Sequence, residues 1–107
     1  MIEKSIGKRI QQYRKKKGIT QEKLGDMLGL SPNHISALER GKYAVKTDIL
    51  VHIINILGCT ADDIFCDVID TGYKVRSSRL SDELEKLPSE DRYRILDVLE
   101  SLIKTYK

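Results

Sequence analysis

No stretch of this sequence approaches the roughly 18 uninterrupted apolar residues of a membrane-spanning helix. The opening residues, Met1 to Ile10, also lack the apolar core of a secretory signal. A soluble, cytoplasmic protein with no membrane contact is expected. Cysteine is scarce. Cys59 and Cys66 stand in a segment patterned as two apolar helices joined by a turn, which suits neither a disulfide framework nor a CxxC pair. Reduced, partly buried thiols are expected there. His52 and the two cysteines recur at an even spacing, but His52 falls on an apolar helix and no two ligands stand close enough to anchor zinc. Asp62 and Asp63 are adjacent carboxylates at a helix start, where capping and the helix dipole account for them. No serine–histidine arrangement, phosphate loop, internal repeat or low-complexity tract occurs. These absences argue against an enzyme and against any metal or cofactor.

What is present is a marked charge asymmetry. The 107-residue chain carries a net charge of +3. Residues 1–46 hold 11 Lys/Arg against 4 Asp/Glu, net +7, whereas residues 47–107 hold 8 against 12, net −4. One half is suited to meet an anion and the other is not. An apolar fraction of 40% suffices for one small helical core with an appendage.

Hydrophobic spacing divides the first 66 residues into five short helices. Ile6, Ile10 and Tyr13 mark an amphipathic helix from Ser5 to Lys17, closed by Gly18. Thr20 caps a second with Leu24 and Leu28 inward, ended by Gly29. Ser31 caps a third that begins at Pro32, where the missing N–H is harmless, and runs to Arg40 with Ile35 and Leu38 inward. Thr47 is expected to cap a fourth, whose Ile49, Leu50, Ile53, Ile54 and Leu57 make it the central buried helix. Thr60 and Asp63 form a capping box for a fifth. Periodicity fails over residues 67–78, which read as a linker. Ser81 then caps a short helix through Leu84 and Leu87, and Ser89 to Tyr106 forms a long one after Pro88. The resulting division is 1–66, 67–78 and 79–107.

Two eight-residue helices cannot stand alone, and they cohere when a glycine makes the turn and a small residue allows a close crossing. In "TQEKLGDMLGLSPNHISALERGK", Gly25, Gly29 and Ile35 supply the small residue, the turn residue and the buried β-branched residue of a helix-turn-helix. With "IGKRIQQYRKKKGI" before it and "LGCTADDIF" after it, the region from Ser5 to Cys66 resembles the phage-repressor-like (Cro-type, xenobiotic-response-element) helix-turn-helix domains. The resemblance implies an all-α, five-helix lambda-repressor-like DNA-binding domain, here followed by a linker and a C-terminal helical dimerisation segment. The departure is Gly25, usually alanine in the family, which is expected to cost the second helix up to about 1 kcal/mol without changing the crossing.

The resemblance also implies that the third helix enters the major groove of double-stranded DNA. With Ile35 and Leu38 inward, the residues left for base contact are Pro32, Asn33, Ser36 and Ala37. The Asn33 amide can donate and accept at once, as adenine N6 and N7 require. Ser36 can take either role, and Ala37 can pack on a thymine methyl. Phosphate contacts are expected from Gln21 with the free N–H groups of its helix, from His34 and Arg40, and from Lys42, Tyr43 and Lys46 beyond the third helix. The same resemblance pairs Arg14 with Glu39 in a structural salt bridge between the first and third helices.

One such domain reaches one half-site, so a dimer is expected. Ile95, Leu96, Leu99, Leu102, Ile103 and Tyr106 form an apolar stripe suited to that contact, the alternative being a helix folded back on its own domain. A transcriptional regulator, chiefly a repressor, is the resulting expectation. Switching would come from a regulatory partner protein or from concentration. The alternatives are the antitoxin of a toxin–antitoxin pair that represses its own operon, and an adaptor that uses the domain to grip protein.

Overall fold

The computed structural model describes residues 2–107, and among these it is entirely helical. The order is α1 (Ile2–Lys17), α2 (Gln21–Leu28), α3 (Pro32–Glu39), α4 (Thr47–Leu57), α5 (Ala61–Phe65), α6 (Gly72–Glu85) and α7 (Ser89–Thr105). The chain divides into two compact units, one ending at Tyr73 and the other running from Lys74 to Lys107. No helix among the described residues is long and apolar enough to cross a membrane.

In the first unit the helix boundaries follow from local chemistry. Thr20 Oγ1 accepts the Lys23 N–H at 3.0 Å, and Ser31 Oγ accepts the His34 N–H at 3.1 Å, so α2 and α3 each begin with one of their orphan donors satisfied. Thr60 and Asp63 form the reciprocal capping box at the start of α5. The fourth helix departs from expectation. Its N-cap is Lys46, which offers no side-chain cap, and Thr47 is already its first helical residue.

Gly29 ends α2 in the left-handed region at φ 71°, and the Leu30 N–H then turns back to the Gly25 carbonyl at 2.8 Å. That turn brings the chain so close that a Cβ on Gly25 would lie 2.4 Å from the Leu30 carbonyl oxygen. Gly25 is therefore more than a weak helix former: in this backbone an alanine would require the turn to shift.

The core of the first unit is formed by Ile10, Leu38, Ile53, Leu57 and Ile64, with Leu24 and Ile35 also fully buried. Residues from all five helices thus share one interior, and α3 is held along its inner side by Ile35 and Leu38. Burying side chains of this size contributes about 1.5–3 kcal/mol each.

The segment expected as a linker is largely helical. Turns follow α5, and α6 then starts at Gly72, so Ser81 lies inside a helix and does not cap one. The helical signal there is sparse: Tyr73, Leu80, Leu84 and Leu87 form a stripe whose first two members are two turns apart. A short window misses such a pattern. In the second unit no residue of α6 or α7 is buried, and Ile95, Leu96, Leu99, Leu102, Ile103 and Tyr106 are all exposed. Two i,i+4 ion pairs, Arg94–Glu90 at 3.2 Å and Lys104–Glu100 at 3.4 Å, lie on the surface of α7. Exposed pairs of this kind contribute only a few tenths of a kcal/mol each.

Candidate nucleic-acid interface

The site is built on the α2–α3 pair. Leu24 from α2 and Ile35 and Leu38 from α3 have no more than a trace of exposed surface, which commits one side of each helix to the core. A buried polar network fixes the other end of α3. Arg14 Nε and Nη2 donate to the two Glu39 carboxylate oxygens at 2.6 and 3.0 Å, and Arg14 Nη1 donates to the Ile19 carbonyl at 2.9 Å. The Glu39 side chain is fully enclosed and Arg14 nearly so. A two-pronged pair of this kind ties α1 to α3 with both charges satisfied.

Gln21 joins the same network, its Nε2 donating to Glu39 Oε1 at 3.0 Å. The amide expected to reach a phosphate is thus turned inward, and Glu22 and Lys23 are the exposed residues that follow it. No spacing in the sequence announces this bond, because its partners are eighteen positions apart and on different helices.

The outer side of α3 carries the residues expected to read bases. Pro32, Asn33 and His34 are exposed on its first turn, Ser36 and Ala37 are partly exposed one turn later, and Arg40 is exposed at its C-cap. Arg40 lies back along the helix, with Nε donating to the Ser36 carbonyl at 3.2 Å. Lys42 and Lys46 are exposed on the loop from Arg40 to Lys46. The expected readers, and every expected anchor but Gln21, therefore occur on one helix and the loop that follows it.

Tyr43 and His34, both expected at phosphates, touch each other. The Tyr43 hydroxyl donates to the His34 backbone carbonyl at 3.1 Å, and the two rings meet edge to face with centroids 5.1 Å apart. Burial raises the Tyr43 pKa above its ordinary value. Behind this contact lies a cavity of about 390 Å³, lined by Leu30, Leu38, Val45 and Ile49 with His34, Tyr43 and Lys46 at its margin.

The basic character of residues 1–46 is also partly spent inside the unit. Arg9 forms a two-pronged pair with Asp67, its Nη2 donating to Oδ1 at 2.9 Å, and that bond raises its pKa. With Arg14 enclosed as well, the cations of α1 left facing solvent are lysines: Lys4, Lys8, Lys15, Lys16 and Lys17. Cys59 and Cys66 are both free and half-buried, and burial pushes the Cys59 thiol up. Among the described residues no three His, Cys, Asp or Glu side chains gather as a metal-ligating group.

A capped helix pair joined through a left-handed glycine, with an enclosed Arg–Glu tie and a polar outer face, is the arrangement of a helix-turn-helix, and residues 10–64 match the helix-turn-helix family. The chain belongs to the Cro/C1-type helix-turn-helix family. Among curated proteins, the HTH-type transcriptional regulator YazB of Bacillus subtilis (strain 168) is 34% identical over 58 residues, which cover 54% of this chain and 84% of YazB. No solved structure matches the chain. The family match ends at residue 64, just before the end of α5.

Proposed function

We propose that the protein is a sequence-specific operator-binding transcriptional regulator, acting in the cytoplasm as a dimeric repressor. The observation that carries this reading is the outer face of α3. Its inner side is consumed by Ile35 and Leu38, while Asn33, Ser36 and Ala37 with Pro32 face outward in the basic half of the chain. Asn33 reads adenine through its amide, Ser36 adds a donor or acceptor, and Ala37 meets a thymine methyl. Lys42 and Lys46 neutralise phosphates on one side of the helix, His34 and Arg40 approach the backbone at its two ends, and the N-terminus of α2 at Gln21 receives a phosphate on its free N–H groups.

Dimerisation follows from the second unit. A stripe of Ile95, Leu96, Leu99, Leu102, Ile103 and Tyr106 left in water forms an apolar patch of a kind soluble monomers rarely carry. A second copy covers it through a two-fold interface, and two recognition helices then address two half-sites. The likeness to YazB, which is named a transcriptional regulator, supports the assignment to transcription.

The test is binding of the full-length protein to a duplex selected from a random pool, followed by fluorescence anisotropy across salt. Affinity is expected to fall steeply between low and physiological salt as condensed counterions are released from the contacted phosphates. A flat response, or a pool that yields no preferred sequence, overturns the reading.

A further inference from the structure

The bond from the Tyr43 hydroxyl to the His34 carbonyl joins two parts of the site that are distant in sequence: the loop carrying Lys42 and Lys46, and the first turn of α3 carrying Asn33. Because it ends on a backbone atom, it positions the helix itself and not merely a side chain. The loop is tied to the far end of α3 by the Lys42 N–H on the Ala37 carbonyl at 3.0 Å, and the Tyr43–His34 bond ties it to the first turn. Tyr43 and Val45 also pack on the core, but at the first turn of α3 the loop is held by the hydroxyl bond and the edge-to-face ring contact. On α3 itself the Ser31 cap holds the His34 N–H at 3.1 Å, and Ile35 anchors the side of the helix that faces the core.

We propose that Tyr43 is a positioning residue for base reading: by holding the His34 carbonyl it sets the first turn of α3, and with it Asn33, relative to the phosphate anchors Lys42 and Lys46. This rests on the DNA-reading role argued above. Tyr43 then acts on sequence discrimination and does not itself supply a phosphate contact.

Two variants separate these roles. Tyr43→Phe keeps the ring and removes only the hydroxyl, and Tyr43→Ala removes both contacts. Affinity is measured for the duplex preferred by the wild type and for a shuffled duplex of the same composition, each across salt. For Tyr43→Phe the ratio of the two affinities is expected to fall about five- to tenfold, the scale of one hydrogen bond, with shuffled-duplex affinity and salt slope unchanged. Tyr43→Ala lowers the ratio further. Equal weakening on both duplexes means that the hydroxyl touches phosphate and overturns the proposal, as does an unchanged ratio.

A second measurement needs no DNA. The ¹³C shift of the His34 carbonyl in the free protein is expected to move in Tyr43→Phe while the melting temperature stays within a few degrees, and an unmoved shift overturns the bond itself. If the wild type shows no sequence preference, the base-reading role fails first and this proposal with it. That outcome is distinct from a wild type that discriminates and a Tyr43→Phe variant that discriminates equally well.

Discussion

Asn33 and Lys42 lie nine residues apart and are both exposed, yet their proposed contacts differ in kind. Replacing Asn33 with alanine removes a two-way amide contact and is expected to cost about 1–3 kcal/mol on the preferred duplex while relaxing its preference. Replacing Lys42 removes a charge from the phosphate side and is expected to weaken all sequences alike, with a salt slope smaller by about one. Anisotropy on a panel of single-base variants distinguishes the two, and identical loss profiles would refute the division into reader and anchor. Glu39 poses a different question at the same scale. With its side chain enclosed against Arg14 and Gln21, Glu39→Ala strands a guanidinium and an amide inside the unit. A loss of about 3–5 kcal/mol is expected in chemical denaturation. Glu39→Gln, which keeps the shape and two acceptor lone pairs, should lose less. These residues were legible to different degrees. Exposure of Asn33 follows from helical spacing, and the Arg14–Glu39 tie from family resemblance. The inward turn of Gln21 and the Tyr43–His34 bond join residues with no local pattern between them.

Helices α2, α3 and α5 were legible because short-range chemistry places their starts: a hydroxyl at the N-cap needs only the N–H three residues ahead. Where that chemistry is missing, the boundary moved, as in α4, which begins after an uncapped Lys46. Gly25 shows the limit of propensity reasoning within an element. Helix propensity alone makes Gly25→Ala stabilising by up to about 1 kcal/mol, but the 2.4 Å approach of a Cβ to the Leu30 carbonyl opposes it. Overpacking against backbone costs about 1–3 kcal/mol, so the variant is expected to melt below the wild type. A higher melting temperature would show that the turn relaxes freely. In α6 the departure ran the other way. Residues 72–78, expected as linker, begin a helix whose apolar positions are thinly spread, and none of them beyond Gly72 is buried to reinforce the pattern.

At the scale of the whole molecule, the two units differ in what they bury. The first has an interior of its own, and the second has none. A chain ending at Tyr73 is therefore expected to remain folded but monomeric, with weaker operator binding, and Leu99→Glu is expected to give the same weakening with α7 still in place. Sedimentation decides between outcomes: a truncated chain that stays dimeric places the interface in the first unit, and one that unfolds shows that the second unit stabilises the first.

The all-α class, the helix-turn-helix and the exposure of the outer face of α3 were determined by the sequence itself, since they rest on capping, glycine turns and apolar spacing that act within a few residues. The inward turn of Gln21 and the bond that holds α3 through Tyr43 were decided only by tertiary structure. Each depends on how closely separate parts of the chain approach in space, a distance set by packing of the whole core that no local pattern encodes.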